Sequence, residues 1–143
     1  MGMLERDGEV RTVVVGSRRK SVLQAEVKKH VEAGSALYTD ALLSYVGLAG
    51  DYAHQVIDHA IKYVDGNVHT NGLENFWSLL KRTIAGTYVS VEPFHLFRYL
   101  DEQAWRFNNR RMTDGERFSM AVSGIVGKRL TYAGLTGKVG EAF

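Results

Sequence analysis

A mixed α/β domain that turns helical in its C-terminal half is the fold class this sequence predicts. Three observations carry that expectation. Two β-rich stretches surround an Asp-Gly pair within the first fifteen residues, helix-like and strand-like patterns then alternate to about residue 58, and only helical periodicities follow residue 70. A chain of 143 residues suits one domain, 1–143, with enough length to bury a core.

The elements follow in order. Residues 3–6 and 9–15 flank Asp7-Gly8, a hairpin signal, and "VRTVVV" is rich in β-branched residues. Ser17 is placed to cap the next helix, where Val22, Leu23, Val27 and Val31 keep an i, i+4 rhythm until Gly34. "SALYTD" reads as a short strand ending at Asp40, "ALLSYVGLA" as a short helix and "YAHQVID" as another strand. "GNVHT" is a loop before the amphipathic helix that opens at Asn71, and "GTY" ends that helix. Pro93 starts the helix "PFHLFRYLDEQAWRFNNRR", as proline can at a first turn. A last helical stretch runs from "TDGERF" towards "GKRLTY", and the glycine-spaced tail "AGLTGKVGEAF" is expected to fray. The sequence holds no internal repeat, low-complexity tract or linker.

Composition narrows the function classes. Hydrophobic residues at 45% and charged residues at 24% mark an ordinary globular chain. The absence of cysteine excludes disulfides and cysteine-ligated zinc. No apolar run approaches the roughly 20 residues that span a bilayer. The start "MGMLERDGEV" lacks a signal-peptide pattern, so a soluble, cytoplasmic protein is expected. A net charge of +2 is small for a dedicated nucleic-acid binder. The cations stand in small groups (Arg18 to Lys20; Lys28 and Lys29; Arg106, Arg110 and Arg111; Lys128 and Arg129), which solvated helix faces explain as readily as phosphate contacts.

The stretch "HTNGLENFWSLLKR", residues 69–82, holds the strongest candidate site. On a helical wheel, at about 100° per residue, Leu73, Phe76, Trp77, Leu80 and Ile84 fall on one side. Asn71, Glu74, Asn75, Ser78, Lys81 and Arg82 fall on the other. The apolar side reads as core, Trp77 included. Asn71 followed three residues later by Glu74 is a capping-box spacing, which needs no catalysis. Asp40 likewise stands where a strand yields to a helix and suits an N-cap. Both residues remain open to a second reading as metal-binding carboxylates. The five histidines show no paired metal spacing: His54 and His59 fall in a strand and a loop, and His30 and His95 lack a partner one turn on. His69 stands out because it directly precedes the Asn71 helix. Neither a Ser-His-Asp arrangement, a Walker A motif nor a dinucleotide fingerprint is present.

"YTD" at 38–40, a tyrosine five residues beyond that aspartate, "HTNGLENFWSLLKR…GTY" and "HLFRYLDEQAWRFNNR" occur here in that order. Together they resemble the ISXO-type insertion-sequence transposases, and "GMLERDGEV" and "GERF…GKRLTY" extend the likeness over nearly the whole chain. The resemblance implies a DDE-type catalytic domain with an RNase H-like mixed sheet flanked by helices and a helical C-terminal part. It implies metal-dependent DNA cleavage and strand transfer, with Mg²⁺ (or Mn²⁺) held by carboxylates. Asp40 matches the second acidic position and Glu74 the third, with Asn71 as a polar companion. His69, Lys81, Arg82, Arg106, Arg110 and Arg111 become candidate contacts to DNA phosphates.

One departure shapes the expectations. In the family the first catalytic aspartate lies on a strand upstream of the segment resembling "GMLERDGEV", where this chain begins. Asp7 falls in the hairpin turn and does not replace it. The chain is therefore expected to be a partial domain lacking that first strand, weak in Mg²⁺ binding and inactive in DNA cleavage. An uncovered sheet edge would favour a homodimer, strand exchange or a higher oligomer. The alternative is a non-catalytic remnant that binds DNA or a partner protein. An unrelated nuclease of RNase H-like fold would explain the acids but not the match through "FNNR".

Overall fold

Strands β1 (Gly2–Leu4) and β2 (Val10–Thr12) form the expected hairpin, antiparallel, with Met3 opposite Arg11. The computed structural model describes residues 1–57 and 70–137. The turn is one residue longer than the two-residue type. Glu5 N–H donates to Glu9 O at 3.1 Å, leaving Arg6, Asp7 and Gly8 between them. Asp7 takes φ 58, a left-handed conformation that its short polar side chain tolerates. Both strands are shorter than the expected stretches 3–6 and 9–15, and the first begins one residue earlier.

Helix α1 (Lys20–His30) buries Leu23 and Val27, as its apolar rhythm requires. Ser17 does not cap it. Arg19 occupies the N-cap position, and the Ser17 hydroxyl accepts only the Arg19 N–H, at 3.4 Å, because it lies two residues too early. Strands β3 (Ala36–Asp40) and β4 (Ala53–Ile57) pair in parallel, Tyr38 opposite Gln55. The short helix expected between them is instead two single 3₁₀ turns, Leu43–Tyr45 and Leu48–Gly50. They are split by Gly47 at φ 103, where a side chain would be strained.

Helix α2 (Asn71–Thr83) runs into a wide π-type turn, Ile84–Tyr88. Pro93 opens a 3₁₀ turn, Pro93–His95, that leads into α3 (Leu96–Asn108). Helix α4 (Asp114–Ser123) starts on a capping box: Glu116 N–H donates to the Thr113 hydroxyl, and Thr113 N–H donates to the Glu116 carboxylate. The described part of the tail, residues 133–137, begins in a helix. Helix α5 (Tyr132–Thr136) forms there, and the Arg98 guanidinium donates to the carbonyls of Gly134 and Leu135. Residues 138–143, His59 and most of the "GNVHT" loop lie outside the described residues.

The strands do not join into one mixed sheet. They make two separate pairs, β1–β2 and β3–β4, and the hydrophobic core is divided to match. One cluster joins Val10 to Phe76, Ala104 and Phe107, with Leu4, Leu73, Trp77 and Leu79 packed on it. The hairpin, α2 and α3 share it, and Trp77 is a core residue as its wheel position predicts. Gly2 is needed at this contact, since a Cβ there would lie 2.6 Å from the Trp77 ring. The other cluster joins Val27, Leu48 and Tyr52, with Met1, Val31, Leu37 and Tyr45 around it. It belongs to α1, the β3–β4 pair and the two 3₁₀ turns. Between the clusters lies a cavity.

Candidate active site

That cavity has a volume of about 1240 Å³, and both Asp40 and Glu74 line it. Asp40 is brought there by the end of β3. Its neighbour Thr39 is buried, and the Thr39 hydroxyl meets Asp40 O and His54 Nε2 at 2.9 Å each, which pins the strand end against β4. The exposed Asp40 side chain accepts the Leu42 N–H through Oδ1 at 3.2 Å. Asp40 is therefore not the N-cap its position predicts: Leu42 holds that place for the first 3₁₀ turn, with no side-chain cap, and the bond from its N–H leaves Asp40 Oδ2 for other work. Tyr45, also on the cavity, has its phenol pKa raised by burial and then by the charge of Asp40. The phenol therefore stays protonated at neutral pH as a hydrogen-bond donor.

Glu74 comes from the first turn of α2. Thr70, not Asn71, sits at the N-cap, and its carbonyl accepts the N–H groups of Leu73 and Glu74. The Asn71 capping box is therefore not formed. The Thr70 hydroxyl donates instead to Glu74 Oε1 at 2.8 Å, which orients the carboxylate one turn along the helix. The negative Glu74 also complements the positive end of the helix dipole. Asn71 is exposed at the first helical position and does not line the cavity, whereas Asn75 does.

The cations separate. Arg110 lines the cavity, its guanidinium 4.4 Å from the Phe107 ring centroid and donating to Phe107 O at 2.8 Å. Arg106 is committed elsewhere: its Nε and Nη2 both lie 2.9 Å from Glu102 Oε1. Burial alone would raise the Glu102 pKa, but hydrogen bonds from Tyr88 and Arg106 outweigh it and hold the carboxyl below its usual value. Lys81, Arg82 and Arg111 are exposed and away from the cavity lining. Lys81 lies about 10 Å along the α2 axis from Glu74, on nearly the same face. His69 lies outside the described residues.

Carboxylates dominate the cavity's charge. Glu5, Asp7, Glu9, Glu32, Asp40 and Glu74 stand against Arg6, Arg11, Arg110 and the Met1 amino group. Carboxylate and amide oxygens are hard donors of the kind that Mg²⁺ and Mn²⁺ take, so Asp40, Glu74 and Asn75 fit such an ion chemically. Among the described residues, no three His, Asp or Glu side chains cluster in metal-binding geometry.

Asn75 and Asn108 are the residues that sequence reading overlooked. Asn75 shares the polar face of α2 with Glu74, and that face was the available signal. The Asn108 amide accepts the Val10 N–H at 2.8 Å and donates to Val10 O at 3.0 Å, closing the outer edge of β2. No local pattern announces a contact across 98 residues.

The sequence model of one protein family, described as the ISXO2-like transposase domain, matches residues 1–108. The match ends on the last residue of α3, so it takes in both strand pairs, both clusters and every lining residue of the cavity except Arg110. No curated protein and no solved structure matches the chain. No helix among the described residues is long and apolar enough to cross a membrane.

Proposed function

The chain belongs to the ISXO2-like transposase domain family, and from that premise we propose that Asp40 and Glu74 are two carboxylate ligands of a DDE-type, RNase H-like catalytic centre for DNA cleavage and strand transfer. One observation carries the reading: residues 34 positions apart in sequence, on a strand end and a helix start, line one cavity. A divalent ion bound there, Mg²⁺ or Mn²⁺, would activate the attacking water or 3′-hydroxyl and stabilise the leaving oxygen. Each protein group has a task around that chemistry. Asp40 Oδ2 and the Glu74 carboxylate supply oxygen ligands, and Thr70 holds Glu74 in orientation. Arg110 places a guanidinium where a DNA phosphate would enter, and the protonated Tyr45 donates a hydrogen bond beside Asp40. Lys81, further along the same helix, extends the DNA path.

A pair of carboxylates is a weak site for a hydrated ion such as Mg²⁺, which usually keeps several waters and relies on substrate oxygens as well. This chain therefore binds DNA without cutting it efficiently. Incubated with supercoiled plasmid and Mg²⁺ or Mn²⁺, it is expected to give no nicking above background. Duplex binding should persist, and Arg110→Ala should flatten its salt dependence by about one unit of slope. Metal-dependent nicking lost in both Asp40→Asn and Glu74→Gln would overturn the incomplete-site reading. An unchanged salt slope in Arg110→Ala would remove Arg110 from the DNA path. The two-carboxylate geometry also favours a second reading, a module that holds DNA or a protein partner without catalysis.

A further inference from the structure

We infer that a pocket between the end of α2 and α3 binds a phosphate group. It has a volume of about 320 Å³ and is lined by Thr83, Thr87, Tyr88, Gln103 and Arg106. None of these residues lines the Asp40–Glu74 cavity. Thr83 stands nine residues past Glu74, half a turn round α2 and about 13 Å along its axis. The inference goes beyond the carboxylate reading and needs no metal ion.

The local fold assembles the walls. The wide turn Ile84–Tyr88 continues α2 and carries Thr87 and Tyr88 to the same space as Thr83. Two contacts fix Tyr88: its hydroxyl donates to Glu102 Oε2 at 2.7 Å, and its ring meets Tyr99 edge-on at 4.7 Å. Directly after it, Val89 takes φ 65 and ψ −55, and Ser90 N–H donates to Tyr88 O at 2.7 Å. That is the rare, strained form of γ-turn, at an exposed β-branched residue whose side chain gains nothing from burial. Such strain persists only where the surroundings over-determine it, and it gathers at ligand clamps.

Donors outnumber acceptors in this pocket. Gln103 is only 8% exposed, and the one described partner of its amide is the Thr83 hydroxyl, at 3.4 Å. Whichever way the amide is turned, at least one of its two N–H groups has no described acceptor. A buried donor left so is costly unless an occupant of the pocket accepts from it. Arg106 gives Nε and Nη2 to Glu102 Oε1, which leaves Nη1 without a described acceptor. Glu102 itself does not line the pocket, and its two oxygens are taken by Tyr88 and Arg106.

A guanidinium edge, a buried amide N–H and the Thr87 hydroxyl together call for a ligand with several charged acceptor oxygens. Phosphate meets that need, and its pairing with arginine is among the stronger hydrogen-bonded contacts. The volume lies at the small end of the range for ligand pockets, which suits a phosphate ester. A DNA backbone and a free phosphate present the same oxygens, so the test separates the two sources.

The ¹⁵N-labelled chain is titrated with inorganic phosphate and, in a separate sample, with a short DNA duplex. Millimolar phosphate is expected to shift the Gln103 side-chain amide and the backbone amides of Thr87 and Tyr88, and the duplex to shift the same signals. Shifts with phosphate alone would assign the pocket to a free phosphate or small ester; shifts with the duplex alone would assign it to DNA. Gln103→Leu removes the amide donors, leaves Arg106 on Glu102 and should weaken the binding about tenfold or more. Thr87→Val, at an exposed position, should weaken it too and decides the matter if Gln103→Leu does not fold. No shift with either ligand would overturn the inference, and so would binding that keeps its full affinity in the folded variants. Asp40→Asn should leave the phosphate response unchanged, so failure of this pocket and failure of the carboxylate site are told apart.

Discussion

Phe76→Ala is expected to cost the fold about 3–5 kcal/mol. Phe76 is fully buried and is the centre of the cluster that ties α2 to the hairpin and α3. Its ring meets Trp77 edge-on at 5.1 Å and Phe107 at 5.5 Å, nearly perpendicular in the second case. Truncation removes the transfer free energy of the ring, leaves a cavity and breaks two favourable aromatic contacts. Domains of this size carry roughly 5–15 kcal/mol in all, so the loss takes a large share. Urea unfolding should show the midpoint falling with little change in slope. A loss under about 1 kcal/mol would mean that this cluster does not hold α2 in place, and with it Glu74.

Asn108→Ala is expected to cost about 2–4 kcal/mol, more than its half-buried surface position suggests. Val10 is 3% exposed, and Asn108 satisfies both of its outward backbone groups. Alanine leaves a buried donor and a buried acceptor without partners, at about 1–3 kcal/mol for each such group. Asn108→Asp keeps the acceptor and loses the donor, so it should fall between wild type and alanine. Amide exchange at Val10 should accelerate in step with the loss of stability. Unchanged Val10 protection in Asn108→Ala would show that the clamp is dispensable.

Some of this architecture was legible and some was not, for physical reasons that differ by residue. The stripe Leu73, Phe76, Trp77 and Leu80 was readable because helical periodicity reports which face is buried. It does not report what covers that face, so the division into two clusters was invisible. The helix start at Asn71 was legible, but its cap was not, because Thr70 and Asn71 are both good capping residues and only the fold decides between them. Arg106 and Arg110 look equivalent in a list of cations. The Glu102 partner four residues before Arg106 was a readable i, i+4 pair, whereas the stacking of Arg110 on Phe107 depends on how the chain leaves α3. In the sequence, capping chemistry sufficed for Asp40 and Glu74 singly. Only the resemblance implied that they belong together, and the fold brings both to one cavity.

The central claim, that Asp40 and Glu74 serve one divalent ion, is tested most directly by titrating ¹⁵N-labelled chain with Mn²⁺. A paramagnetic ion in the cavity is expected to broaden the amides around Asp40 and around Glu74 together, at the same concentrations. Asp40→Asn should then abolish the broadening at Glu74 as well as at position 40. Broadening at only one of the two segments, or at Glu74 undiminished in Asp40→Asn, would contradict the account.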